Sequence, residues 1–318
     1  MKKFLTNITI LIVVNLLVFE VLIRFFHLTP DIPQREIVDG VQKYIPYQSG
    51  YFNKQSTEKW EINEFGWPGL SSIDSETIIA ILGDSFIENF HNPYECHQAS
   101  YLKAEFPNIA FFEAARSGMT LIEELEVRQQ LEKQIKPLVS LIYLSEADII
   151  ESIQEIKPIN DITQFSLSSR KVIPGELKAP FLKKVLYNIK TLHYVYLNRP
   201  RNGIIMPSNS ATDKSRLELH NIKIKEFIDA ITADYNLSTV IFIFHPQTNT
   251  YLIRLFEERN LKVISLQSTD YKTWQFSNDS HWNCEGHKSA STQVADNLRS
   301  RILVEALKKP TNISAGGF

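Results

Sequence analysis

Cysteine is scarce in this chain, with two in 318 residues. That count excludes a disulfide-rich scaffold and a structural zinc cluster built from thiolates. An excess of charge of one sign is missing as well. The 34 basic residues nearly balance the 36 acidic ones, and the formal net charge is −2. A nucleic-acid partner is thereby disfavoured, since it requires a basic face. The chain carries no internal repeat and no low-complexity tract. Its apolar share, 43%, is ordinary for a globular protein and excludes disorder over most of its length.

The N-terminus carries the first positive signal. Lys2 and Lys3 precede a mostly apolar run from Phe4 to Phe19, which Glu20 and Arg24 interrupt before Phe25 and Phe26 close it. The run is at the short end of what crosses a bilayer. On a helix Glu20 and Arg24 share a face and can pair. No Ala-x-Ala-like cleavage site comes after it, and a buried core helix fits poorly with the Lys-Lys flank. Residues 1–27 are therefore expected to be a retained signal anchor, a single transmembrane helix. The positive flank places the chain beyond residue 28 outside the cytoplasm, periplasmic or at the cell surface.

Residues 28–70, which contain prolines and aromatics, read as a linker and lead-in. From 71 to 307 strand and helix patterns alternate. Short apolar runs at 77–82, 108–114, 138–144, 239–244 and 262–266 are rich in Ile, Val and Phe, as buried parallel strands are. Helical patterns occupy 119–135, 214–234, 250–259 and 289–307. The expected fold class is α/β, with a mostly five-stranded parallel sheet covered by helices on both faces. Segment 155–212 breaks the alternation. It holds five prolines, a helical stretch near 181–197 and the polar Ser208-Asn209-Ser210, and reads as an insertion over the active face. The tail 308–318 is expected to fray.

Two segments carry chemistry. The first strand runs into Gly83-Asp84-Ser85-Phe86, at the carboxyl edge of the sheet where α/β ligands bind. Taken alone the triplet reads equally as a helix N-cap. The second segment, Asn278-Asp279-Ser280-His281-Trp282-Asn283-Cys284-Glu285-Gly286-His287, comes after the fifth strand and so lies on the same edge. A serine hydroxyl needs a neighbouring base, and a histidine base needs a carboxylate to fix its tautomer. Asp279 and His281 supply both. Two other readings compete: a metal site of His281, Cys284 and His287, helped by Asp279, and a surface loop with a structural tryptophan. His287, at the start of the final helix, reads as structural. Cys96 and Cys284 are either a disulfide that pins the histidine loop to the nucleophile's side, or two buried apolar thiols.

With Gly83-Asp84-Ser85, the lone glycine of Ala115-Arg116-Ser117-Gly118, and Asp279-Ser280-His281-Trp282-Asn283 with Gly286-His287, the chain resembles the SGNH (GDSL) hydrolase family. Asn63-Glu64-Phe65-Gly66-Trp67-Pro68-Gly69 is similar to the lead-in of membrane-anchored members. The resemblance covers roughly residues 60–305, without the insertion. It implies a three-layer, flavodoxin-like fold and acyl-ester hydrolysis or transfer through a serine acyl-enzyme, with no cofactor and no metal. By motif position Ser85 is the nucleophile, His281 the base and Asp279 its orienting acid, with the N–H groups of Ser85 and Gly118 serving the oxyanion. Two departures stand out. The acid lies two residues before the histidine rather than three, in an Asp-x-His-Trp form similar to the alginate O-acetyltransferase-like branch. The family's Gly-x-Asn-Asp is Ser145-Glu146-Ala147-Asp148 here, so a side-chain oxyanion donor is lost at Ala147; His245 and Asn283 are the candidates to replace it. The substrate class implied by anchor and family is an acyl, mainly acetyl, ester of envelope or exported polysaccharide. The rival reading is an inactive glycan-binding or assembly component.

Overall fold

The computed structural model describes residues 1–69, 75, 77–199 and 214–308. The polar stretch 208–210 and the tail 309–318 lie outside the described residues. The chain opens with helix α1 (Lys2–Phe25), which is long and apolar enough to cross a membrane and almost wholly exposed. Arg24 pairs with Glu20 on one face, Nε to Oε1 at 2.8 Å.

Residues 28–69, which read as linker and lead-in from their prolines and aromatics, are structured. They fold into two antiparallel hairpins, β1 (Arg35–Val38) with β2 (Val41–Tyr44), and β3 (Ser49–Phe52) with β4 (Glu58–Glu61). The Asn63–Gly69 motif closes this unit. Asn63 Oδ1 accepts the N–H groups of Phe65 and Trp67 at 3.0 and 3.1 Å, an Asx turn that buries Trp67 completely.

The central domain comes next. Strand β5 (Ile78–Gly83) leads to the short α2 (Ser85–Glu88) and then α3 (Gln98–Glu105). After these come β6 (Ala110–Ala115), α4 (Leu121–Gln134), β7 (Val139–Leu144) and α5 (Glu146–Glu151). An excursion holds a hairpin of β8 (Gln164–Ser166) and β9 (Lys171–Ile173), then α6 (Pro180–Asn188) and α7 (Lys190–Asn198). The single helical stretch read near 181–197 is thus two helices that part at Ile189. The domain closes with α8 (Lys214–Asp234), β10 (Val240–Phe244), α9 (Thr250–Glu257), β11 (Lys262–Ser265), a small hairpin of β12 (Gln275–Phe276) and β13 (Asp279–Trp282), and α10 (Cys284–Lys308).

The five parallel strands lie in the order β11-β10-β7-β5-β6. Numbered by sequence this is the flavodoxin-like order 2-1-3-4-5. Strand residues alternate between faces with period two, and both faces are covered. Ala80 and Leu82 point into a core shared with Leu125, Phe227 and Phe256 from α4, α8 and α9. Ile79 and Ile81 point the other way, into a core with Leu102, Ala290 and Val294 from α3 and α10. This two-sided burial is why the strands are runs of Ile, Val and Phe rather than alternating polar and apolar residues.

Cys96 and Cys284 form a disulfide with a Cα–Cα separation of 5.0 Å, closing 188 residues of chain. Such a bridge stabilises chiefly by constraining the unfolded chain, typically by about 2–4 kcal/mol. Reduction is therefore expected to lower Tm by roughly 5–10 °C. Differential scanning of oxidised and reduced protein checks this, and alkylation without reduction should tag neither cysteine.

Candidate active site

Gly83 ends β5 beside Ile87, whose Cγ1 lies 2.4 Å from where a Cβ at residue 83 would sit. Only glycine permits the chain to turn so tightly into α2. Asp84 caps that helix, its Oδ1 accepting the N–H of Phe86 at 2.9 Å, so Asp84 takes the capping role and frees Ser85 at the first helical position. Burial pushes the Asp84 carboxyl up to about 6, against the pull of its backbone hydrogen bonds.

Ser85 Oγ lies 2.8 Å from His281 Nε2, and His281 Nδ1 lies 2.5 Å from Asp279 Oδ1. Ser85 and His281 are 196 residues apart in sequence. The structure thus brings Ser85, His281 and Asp279 together. Asp279 is buried, which by itself would raise its carboxyl. The hydrogen bonds from Lys54, from His281 Nδ1 and from the His281 N–H overcome that and hold it well below the usual carboxylate range. Lys54 comes from the loop between β3 and β4 and pairs with Oδ2. His91 Nε2 stands 3.6 Å from the same oxygen, and the His91 ring stacks on His281 with centroids 4.3 Å apart. Burial and the neighbouring His281 push His91 down to about 4, so it is neutral at pH 7. Asp279 therefore divides its oxygens, Oδ1 to the imidazole and Oδ2 to Lys54, with the neutral His91 ring packed beside them.

Sequence reasoning misses Lys54 and His91. Lys54 lies in what reads as linker, and His91 belongs to no motif. Only the folding of the two lead-in hairpins against the domain brings Lys54 to Asp279.

Gly118 sits in a turn closed by the Met119 N–H donating to Arg116 O at 2.9 Å. Its φ of +75° is the left-handed region that glycine enters without strain. It is exposed, and its N–H makes no hydrogen bond among the described residues. The turn is held from below. Ser117 donates its N–H to Glu88 Oε1 at 2.7 Å and its hydroxyl to Glu88 Oε2. Tyr44 also donates to Glu88. Arg116 is wholly buried and pairs with the equally buried Glu123 at 2.6 Å. It also donates to Gln42 O and Ser117 O at 3.2 and 2.8 Å. Arg35 reaches Ser117 O at 3.1 Å from the far side. Beyond Arg35 opens a cleft of about 390 Å³, lined also by Gln42, Asp161, Lys178, Lys183 and Tyr187. It lies beside the Gly118 turn rather than over Ser85.

Ala147 is exposed, and the neighbouring Asp148 folds back on Ser145 as a capping box. Neither offers a side-chain donor in place of the missing asparagine. Asn283 does not offer one either, which corrects the sequence expectation. Its Nδ2 donates to Thr273 O and Gln275 O at 3.0 and 2.9 Å, and its Oδ1 accepts from Gly286 N–H. The amide is spent on holding the β12–β13 hairpin to α10. His245 is buried between Phe86 and Trp282, with ring centroids at 4.6 and 4.5 Å. Burial pushes its imidazole down to about 3, so it is neutral, and its Nε2 has no partner among the described residues. It makes no hydrogen bond to Ser85 or Gly118 there.

The metal set read from the sequence does not form. Cys284 is oxidised to the disulfide, and His287 is buried with its Nδ1 3.1 Å from Gln98 Nε2. Gln98 in turn accepts from Tyr143 and Ser291, so His287 belongs to a core network under α3 and α10.

No family model matches the chain, and no curated protein matches it. Solved structures similar to it include a psychrotrophic esterase from Pseudoalteromonas sp., 14% identical, covering 72% of this chain and all of that one, with a TM-score of 0.37. An acetyl xylan esterase from Butyrivibrio proteoclasticus is 9% identical, over 72% of this chain and 64% of its own, with a TM-score of 0.39. A lipase/acylhydrolase from Enterococcus faecalis is 14% identical, over 71% and 96%, with a TM-score of 0.35. Likeness this loose transfers neither activity nor substrate.

Proposed function

We propose that this chain is a membrane-anchored serine esterase or O-acyltransferase of the SGNH type. Its reaction is hydrolysis or transfer of acyl, mainly acetyl, esters on envelope or exported polysaccharide. The observation that carries the reading is the unbroken path from Asp279 Oδ1 through the His281 ring to Ser85 Oγ, at 2.5 and 2.8 Å. His281 Nε2 removes the Ser85 proton as Oγ attacks the ester carbonyl, then returns it to the leaving alkoxide. Asp279 fixes the tautomer and stabilises the imidazolium. The N–H groups of Ser85 and Gly118 receive the oxyanion, with Glu88, Arg116 and Arg35 holding the Gly118 turn. Water or a sugar hydroxyl then takes the acyl group from Ser85, and the same three side chains serve both outcomes. Two oxyanion donors rather than three imply a slow enzyme, since one donor is typically worth about 10²–10³ in rate. We read the domain as lying outside the cytoplasm; the Lys2-Lys3 flank of α1 and the Cys96–Cys284 disulfide, which persists in an oxidising compartment, support that reading.

A serine-reactive fluorophosphonate is expected to label the full-length protein in detergent, with the added mass on the peptide that contains Ser85. A folded protein that takes up no label would instead favour the non-catalytic glycan-binding reading. Free acetate as against acylated glycan among the products separates hydrolase from transferase.

A further inference from the structure

Glu20 is the one acid of the mostly apolar helix α1, and such residues are costly in a membrane unless they serve a purpose. Its carboxylate caps α7. Oε1 accepts the N–H of Lys190 at 3.0 Å, and Oε2 accepts the N–H and hydroxyl of Thr191 at 2.8 and 2.9 Å. Arg24 donates to Asn188 O at 2.5 Å. Lys190 is itself pinned to Asp31 and to Pro30 O. The polar end of the α6–α7 hairpin is thus riveted to the C-terminal end of α1.

From that joint α7 runs back along α1. A groove of about 650 Å³ between them is lined by Val13, Leu16 and Leu17 on one side and Ile189, Leu192 and Val195 on the other. The outer surface of the hairpin is apolar too. Tyr194, Tyr196 and Leu197 are exposed, as are Phe181 and Leu182 at the start of α6, at 74% and 68%. No charged side chain stands between Lys190 and Arg199. Water-facing surfaces seldom carry so large a contiguous apolar patch. This one is continuous with α1, whose own apolar surface is exposed along the span. Tyr187, beside the joint, is a residue type that favours the headgroup level, and the exposed Lys183 and Lys184 on α6 can carry their amines to lipid phosphates.

We infer that the α6–α7 hairpin is a second membrane contact, immersed among lipid acyl chains beside α1. This rests on the reading of α1 as a membrane span. The consequence is a fixed posture. The hairpin is part of the same domain as the sheet, and α6 also borders the cleft that leads past Arg35 to the Gly118 turn. A domain held at two points cannot swing on a tether, and that cleft is kept at the bilayer surface, where a substrate carried on or emerging from the membrane would meet it.

Both native cysteines are in the disulfide, so an introduced cysteine is the one free thiol. Full-length Val195→Cys and Leu182→Cys, each carrying an environment-sensitive fluorophore, are reconstituted in phosphatidylcholine vesicles with and without nitroxide-labelled acyl chains. Val13→Cys in α1 and Ser168→Cys on the exposed β8–β9 turn are the references. The expected result is quenching of the 195 and 182 probes by nitroxide lipid to the degree seen at 13, with protection from iodide, while the 168 probe shows the reverse. Quenching at 13 but not at 195 and 182 would overturn the hairpin contact alone. No quenching at 13 would overturn the span and the inference with it. Efficient 195–195 cross-linking between copies would assign the face to a second protomer and overturn the lipid assignment. Near-UV circular dichroism identifies any variant that has not folded, and the probes do not depend on the catalytic reading.

Discussion

Asp279→Asn should lower kcat on an acetyl ester by about 10⁴-fold with little change in KM. The reasoning lies in the two nitrogens of His281. A carboxylate at Oδ1 can only accept, so Nδ1 must carry the proton and Nε2 must present its lone pair to Ser85. An asparagine of the same shape can donate its amide to Nδ1, which drives the proton to Nε2 and removes the base. Ser85→Ala and His281→Ala should fall as far or further and abolish fluorophosphonate labelling. The three losses should not add, because the residues act as a unit. A tenfold loss or less in Asp279→Asn would dismiss the orienting role. Because Asp279 sits well below the usual carboxylate range, its protonation does not set the acid limb of a pH–rate profile above about pH 4, where an ordinary aspartate titrates.

Arg116→Met should cost about 3–5 kcal/mol of stability, because it leaves Glu123 as an uncompensated buried charge. For a domain of this size that is on the order of 10 °C in Tm. Both partners are fully buried, so solvent does not weaken the effect as it would at the surface. The pair also ties three pieces of chain together. Glu123 Oε1 accepts the Gln42 N–H of the lead-in at 3.2 Å while Arg116 holds Gln42 O and Ser117 O. The double variant Arg116→Met, Glu123→Leu should recover only part of the loss. It removes the stranded charge but still leaves the Gln42 N–H buried without an acceptor, a cost of about 1–3 kcal/mol. Urea titrations of the three proteins measure each step. A loss under about 1 kcal/mol for the single variant would mean that water reaches the pair.

The five strands were legible because both faces of the sheet are buried, which writes each strand as a mostly apolar run. The placement of Ser85 and of the 279–281 segment on one edge came from that alternation alone. The lead-in was not legible. Its hairpins are short and their apolar residues are spaced for contact with a domain far along the chain, so locally 28–69 looks like linker. Lys54 and Arg35 were missed for that reason, and His91 because it belongs to no motif. The failure at Asn283 has a different cause. A side-chain amide in a motif can face substrate or hold its own loop together, and sequence does not say which neighbours will claim it. The two helices α6 and α7 read as one because the break at Ile189 is made by Glu20 and Arg24, residues of a distant helix.

The hydrogen bond between Ser85 and His281 spans nearly two-thirds of the polypeptide, and the order of synthesis gives that distance a meaning. A chain synthesised N-terminus first delivers its serine long before its imidazole. Until β13 is laid down, Ser85 is an ordinary alcohol with no base beside it. On the proposed function, a copy that ends before β13 therefore has a serine with no base to activate it. The proposed nucleophile is armed only when the 279–281 segment folds against it.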